Sequence, residues 1–267
     1  MAKSTTKPLK KLAVVTGAAR GNGKAIAKAL AGMGATVVVV DIGQDLPEVP
    51  YALSSPAELA ATTEELRRIH PRIFSLQMDV RDEGSVRAGF AQVAREHGTV
   101  DILVNNAGVN IQKRRLHELS GEDWDQVVSV NLTGAFNMVQ AVLPPMRTQG
   151  GGLIVNVSSQ AGVTISGLSG AAYTSSKHGF NALSHSINQE EWRNGIRACA
   201  LCPGEVNTEI LDKRPIPIPP EERERLIQPE DMAEAVRFVA CMPARTNITE
   251  MRILPTHKRA MRPGETG

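Results

Sequence analysis

The 267-residue chain predicts an α/β fold: one domain built on a doubly wound parallel sheet, with helices on both faces. Two observations carry this. Short apolar runs alternate along the whole chain with longer stretches of helical period, and the first run leads through a glycine-rich turn straight into a helix. No internal repeat or clear linker divides the chain, so a single domain over residues 9–255 is expected, with flexible ends at 1–8 and 256–267.

The stretch from Lys11 to Asp41 organises the rest of the chain. Residues 12–15 form an apolar strand ending in Thr16, a loop carries Gly17, Arg20, Gly21, Asn22 and Gly23, residues 24–33 continue as a small-residue helix, and 36–40 form a second strand closed by Asp41. Glycines at a strand-to-helix turn allow tight backbone and close approach of a ligand, and the free N–H groups and dipole of the helix start attract phosphate. Asp41 stands where a carboxylate can accept from adenosine ribose hydroxyls, so a dinucleotide is expected here. A nucleoside-triphosphate P-loop is excluded, because Ala18 occupies the required first glycine and Ala25 replaces the Mg²⁺-binding hydroxyl.

The connection after Asp41 is longer than a tight unit needs. Pro47 and Pro50 break its first half, and Ser55-Pro56-Ala57-Glu58 starts a helix that reaches His70 and stops at Pro71. Residues 72–80 are the third strand, ending in Asp79 and Val80, and 82–97 an amphipathic helix burying Val86, Phe90 and Val93. Strand 100–104 runs into Asn105-Asn106-Ala107-Gly108. Residues 122–146 read as one long helix with Asn131 inside it and Pro144-Pro145 near its end. Then come strand 153–158, helix 173–192, strand 196–201 stopped by Pro203-Gly204, a proline-dense loop at 215–220, helix 229–241 and a last strand 250–254.

Composition narrows the function. Hydrophobic residues make up 42% of the chain, ample for a buried core, and a net charge of +2 gives no reason to expect nucleic acid. The runs Lys113-Arg114-Arg115 and Lys258-Arg259 read as solvated surface. The three cysteines (Cys199, Cys202, Cys241) are too few for a disulfide framework, and the 199/202 pair should point to opposite faces of a strand as buried thiols. The six histidines form no metal pair, and no apolar run nears the roughly 18 residues of a membrane span, so a cytoplasmic protein without metal is expected.

Ligands of such sheets bind at the carboxyl ends of the strands, and that is where the reactive residues fall. Tyr173 and Lys177 are one helical turn apart on one face, and Ser158 and Ser159 end the strand that leads to this helix through a glycine-rich loop. A phenol near pKa 10 is a poor base at neutral pH, but a nearby ammonium favours the phenolate, which would make Tyr173 a proton carrier.

Taken together and in this order, TGxxxGxG at Thr16–Gly23, NNAG at 105–108, the helical asparagine in VNLTG, the serine strand NVSSQAG, YxxxK at 173–177 and PGxVxT at 203–208 resemble the short-chain dehydrogenase/reductase family, over residues 9–254. The resemblance implies a Rossmann-like domain that transfers a hydride between a nicotinamide and a small alcohol or carbonyl compound. Tyr173 would be the acid/base; Ser159, chosen over Ser158 by its place before Gly162, would hold the substrate oxygen; Lys177 would tune Tyr173 and bind the nicotinamide ribose; Asn131 would hold a water of the proton relay. Asp79 and Val80 would contact adenine, Asn106, Ala107 and Gly108 would wall the adenosine, Asn105 would stabilise the sheet, and Pro203, Gly204, Val206 and Thr208 would bound the nicotinamide. The family's pattern also implies NAD, since Ile42 follows Asp41 where NADP-preferring members carry arginine; Arg20, at a site for a phosphate contact, keeps an NADP-dependent carbonyl reductase as the alternative, and a catalytically silent nucleotide sensor as a further one.

Departures matter as well. The insertion at 44–66 resembles that of an NAD-dependent subgroup, some of which hold their nicotinamide tightly, and EMRILPTHKRAMRPGETG replaces the glycine-rich carboxyl end of many members. Gln160, Thr164, Ile165, Leu168, residues 109–112 and the loop at 205–220 should line the substrate pocket. A homotetramer, or failing that a dimer, is expected on the two long helices, whose apolar residues (Val127, Val128, Leu132, Phe136, Val139, Phe180, Leu183, Ile187) exceed one buried stripe.

Overall fold

The computed structural model describes residues 9–46, 49, 51–214, 216 and 218–257. Seven parallel strands form one sheet, β1 (Leu12–Thr16), β2 (Thr36–Asp41), β3 (Ile73–Gln77), β4 (Ile102–Asn105), β5 (Gly152–Val157), β6 (Ile196–Pro203) and β7 (Glu250–Ile253), in the spatial order β3-β2-β1-β4-β5-β6-β7. The order reverses between β1 and β4. In a doubly wound sheet that reversal opens a crevice at the carboxyl ends, which fixes where a ligand can sit.

Every residue of β1 is buried, as a strand covered on both faces requires. Ala13, Val15, Val37 and Val39 face one core with α1 (Gly21–Gly32), α2 (Pro56–Arg67) and α8 (Pro229–Cys241). Leu12, Val14, Val38 and Val40 face the other, with α3 (Glu83–His97), α5 (Gly134–Gln149) and α6 (Ala171–Glu191). Cys199 and Cys202 are both buried, and burial pushes the Cys199 thiol up to about 12. The expected start of α2 is a capping box: the Ser55 hydroxyl accepts from Glu58 N at 3.2 Å, and Ser55 N donates to Glu58 Oε2 at 2.7 Å.

Two expectations need correction. The long helix is not continuous: α4 (Gly121–Val128) gives way to a π-turn, Ser129–Thr133, before α5 begins. Nor do Pro144 and Pro145 end it. Val142 and Met146 on either side are fully buried, and their packing carries the helix through two missing N–H groups to a left-handed Gly150. The apolar surplus on these helices also has a simpler use, since Val127, Val139, Phe180 and Ile187 are buried within the chain while Phe136 is 45% exposed. The run Gly121–Gln149 is apolar and long enough on composition to cross a membrane, but half of its most apolar window is buried in the fold, as for a core helix. The expected ends at 1–8 and 258–267, Pro47, Pro50, Pro215 and Pro217 lie outside the described residues; Pro220 opens a short helix, α7 (Pro220–Arg223).

Candidate active site

The switch point is stitched by side chains. Thr16 Oγ1 accepts from Asn106 N and Ala107 N at 2.9 and 3.0 Å, and Asn106 Nδ2 donates to Thr16 O and Gly17 O at 2.9 and 3.0 Å. Two glycines leave no room for a side chain: a Cβ on Gly17 (φ +61°) would lie 2.9 Å from Ala107 Cα, and one on Gly23 would lie 2.2 Å from Gly17 O. A Cβ on Gly21 (φ +53°) would instead only touch the Thr208 side chain across the crevice, at 3.5 Å, but its left-handed backbone favours glycine. The α1 start carries no side-chain cap and no acid in its first turn, and Asn22 Oδ1 is buried without a partner among the described residues. An uncapped helix start with free N–H groups and no acid in its first turn fits a pyrophosphate.

At the far side Asp41 is fixed in place. Its carboxylate accepts from Ala19 N and Ile42 N, both at 2.9 Å, and from the Ser54 hydroxyl. Arg20 turns away into the insertion, donating to Ala52 O at 3.0 Å and pairing with Glu209 at 2.8 Å, with Glu58 at 3.9 Å. Burial would raise Asp79, but the side chain and backbone N–H of Arg81 hold it below the usual carboxylate range. Asn105 is inside the sheet, donating to Asn156 Oδ1 at 3.0 Å.

The reactive groups meet on the other half of the same cleft, about 440 Å³, lined by Gly17, Asp41, Asp79, Gly108, Ser159, Tyr173, Lys177, Gly204 and Thr208 among others. Tyr173 is partly exposed to it, with the Ser159 side chain in the same cleft; the Ser159 hydroxyl accepts from Ala161 N at 3.1 Å. The cleft walls desolvate the phenol and push it above its ordinary range; the Ser159 side chain and the charges of Arg114 and Arg214 pull it down by less. Ser158 points elsewhere, donating to Lys177 O at 3.3 Å. Lys177 Nζ donates to Val157 O at 2.9 Å and lies 5.7 Å from the Tyr173 ring centre; burial brings it down to about 8, partly countered by Cys202. Besides Lys177, the cation to which the sequence points, the charges of Arg114 and Arg214 also act on Tyr173.

Asn131 sits in the π-turn and is fully buried. Its Oδ1 accepts from Val109 N at 2.8 Å, and its Nδ2 donates to Val109 O at 3.0 Å and Ser176 Oγ at 3.2 Å; Ser176 in turn donates to Tyr173 O at 2.8 Å. The side chain thus ties the β4 loop to the helix of Tyr173 and Lys177. π-turns are often found at functional sites, and this one widens the helix where it faces the cleft.

A short chain dehydrogenase model matches residues 11–216. The chain belongs to the short-chain dehydrogenase family. One curated member, the 2-(R)-hydroxypropyl-CoM dehydrogenase of Xanthobacter autotrophicus, is 35% identical over 250 residues, covering 87% of this chain and 92% of that one. Carveol dehydrogenase from Mycobacterium avium, solved with NAD, superposes with a TM-score of 0.83 at 27% identity, covering 94% and 98% of the two chains. An alcohol dehydrogenase from the archaeon Thermococcus sibiricus, solved with 5-hydroxy-NADP, gives 0.80 at 30% identity, covering 95% and 100%. This short-chain dehydrogenase is thus an oxidoreductase whose solved relatives carry NAD or NADP.

The substrate side departs from the sequence expectations. Gln160, Thr164, Leu168, Val109 and Asn110 do line the cleft, with Glu205, Ile210, Leu211 and Arg214 from the later loop. Ile165 is 85% exposed, and Ile111 is buried against Val127 and Ala172 instead. Arg114 is not surface: Lys113 and Arg115 are exposed, but Arg114 is buried and lines the cleft. Tyr51 of the insertion also reaches the cleft, where its hydroxyl donates to Asn110 O at 3.1 Å. Neither residue carries a local signal of burial, since both depend on which loops the fold brings together.

Proposed function

We propose that this short-chain dehydrogenase interconverts a small secondary alcohol and its ketone with NAD. The observation that carries this is the Tyr173 phenol in one cleft with Ser159, the glycine cradle and Asp41, with the buried Lys177 ammonium 5.7 Å from its ring centre. The alcohol oxygen would rest between the Ser159 and Tyr173 hydroxyls. Tyr173, as phenolate, takes the hydroxyl proton while the carbinol carbon becomes a carbonyl; in reduction it returns that proton. When bound, the nicotinamide accepts or supplies the hydride. Ser159 orients the substrate oxygen, and Lys177 supplies positive charge and a donor at the ribose side. Asn131, with its side-chain amide already engaged, would act by holding the π-turn against Lys177 and Tyr173.

NAD over NADP is supported by Asp41, whose charge opposes a 2′-phosphate, and by Arg20, whose guanidinium is already paired with Glu209. The insertion supports slow cofactor release, since Ser54 holds Asp41 and Tyr51 reaches Asn110 across the cleft. Asp79, Val80, Asn106, Ala107, Gly108, Pro203, Gly204, Val206 and Thr208 would complete the cofactor's walls. A homotetramer would use the exposed Phe136 face of α5, and light scattering that returns a single chain's mass would reject it. Titration with NADH and NADPH tests the cofactor choice: tighter NADH is expected, and equal affinity would overturn it.

A further inference from the structure

Two guanidinium groups stand beside Tyr173 that alcohol oxidation does not call for. Arg114 comes from the loop after β4 and Arg214 from the loop after β6, and both line the cleft with Ser159 and Tyr173. Arg114 is only 7% exposed. Its Nη1 donates to Ser169 O at 3.1 Å, its Nε is buried with no acceptor among the described residues, and no carboxylate pairs with it there. Gly170 (φ +78°) packs against it so closely that a Cβ would lie 3.0 Å from Arg114 Cδ, so the side chain is built in rather than laid over a surface. Burial first, and then the charge of Arg214, bring its pKa down to about 10.

Buried cations are ordinarily paired, because the loss of solvation is not otherwise offset. Glu205 pairs with Arg214, which leaves Arg114 a buried cation facing a second cation. The Tyr173 phenol does not fill the gap, because burial raises it in spite of both arginines. An anion in the cleft that Arg114 shares with Ser159 and Tyr173 would supply the missing charge.

We propose that the substrate is an anionic hydroxy compound, a carboxylate or sulfonate, whose acid group is held by Arg114 and Arg214 while its hydroxyl reaches Ser159 and Tyr173. This rests on Tyr173 as acid/base but can fail separately from it. Guanidinium is suited to both acid groups, since its planar fork can engage two oxygens at once.

The test compares, in the NAD-saturated enzyme, 3-hydroxybutanoate, 4-hydroxypentanoate and 2-hydroxypropanesulfonate with 2-butanol and the methyl esters of the two carboxylic acids. The acids should exceed their esters in kcat/KM by about tenfold to a hundredfold, the size of hydrogen bonds to a charged group. That ratio should fall toward one in Arg114→Gln and recover in part in Arg114→Lys. Both members of a pair use Tyr173, so the ratio cancels any effect of the arginine on the phenol. Arg214→Gln gives a second variant should Arg114→Gln fold poorly. Butanoate and methanesulfonate titrated against the enzyme–NADH complex give a readout without turnover. Neutral alcohols turned over as well as the acids, or no anion binding to that complex, would overturn the proposal and leave the dehydrogenase intact. Anion binding that depends on Arg114 without turnover of any alcohol would uphold the site and sink the catalytic reading. Loss of NADH binding in Arg114→Gln, with the acid-to-ester ratio unchanged, would assign the arginine to the cofactor and also overturn the proposal.

Discussion

Replacing Lys177 with methionine should reveal how much stability the site gives up for its ammonium. Lys177 is 3% exposed, and its pKa falls from the ordinary 10.5 to about 8 through desolvation. At about 1.4 kcal/mol per pH unit, that is a charging penalty of about 3 kcal/mol in the native state. The sign comes from linkage: between the two values the unfolded chain binds more protons, so native stability rises with pH from about 8 toward 10.5 and the full penalty stands below 8. Methionine removes the penalty but leaves Val157 O without its 2.9 Å donor, at about 1–3 kcal/mol independent of pH. At pH 7 the variant should therefore match or exceed the wild type. Between pH 7 and 9.5 the wild type should gain about 2 kcal/mol relative to it. Urea unfolding of the two proteins without cofactor, at both pH values, measures this, and groups common to both cancel. A difference that stays constant within about 0.5 kcal/mol would refute the desolvated lysine, since a solvated one contributes no such slope.

Asp41→Ala should erode the preference for NADH, and Asp41→Ala with Ile42→Arg should reverse it; by 1.4 kcal/mol per tenfold, a penalty of about 2–3 kcal/mol on NADP gives roughly 30- to 150-fold to lose, read by cofactor titration. Gly23→Ala places a Cβ 2.2 Å from Gly17 O, so it should cost about 1–3 kcal/mol and most of the cofactor affinity, checked by melting and NADH titration. Because the Tyr173 phenol is raised and must be deprotonated to act as base, alcohol oxidation should climb with pH through the alkaline range. Arg114→Gln, by removing a charge that lowers the phenol, should move that rise to higher pH.

The sequence made the frame and the Tyr173–Lys177 pair readable for physical reasons. Apolar runs covered on both faces mark parallel strands, and the spacing of Tyr173 and Lys177 puts both on one helix face whatever the surroundings. The choice of Ser159 over Ser158 came from the family's pattern, and the structure places both serines in the cleft wall, with Ser158 donating to Lys177 O. The π-turn at Ser129–Thr133 left no trace, because VVSVNLTG keeps an unbroken helical character and the extra residue is stabilised by Asn131 bonding to Val109 and Ser176, far away in sequence. Arg114 was hidden inside a basic run, where its neighbours are solvated as such runs usually are. Arg20 offered a phosphate contact in the sequence, but its partner Glu209 comes from a loop that only the fold brings near.

The central claim, proton transfer by Tyr173 coupled to NAD-linked alcohol oxidation, is tested most directly by NADH formation from a panel of secondary alcohols and hydroxy acids in the wild type and Tyr173→Phe, with NADH affinity measured on both. The wild type should turn over at least one of them, and the folded Phe variant should be slower by about a thousandfold while binding NADH nearly as well. Wild-type-like turnover in the Phe variant would contradict the account.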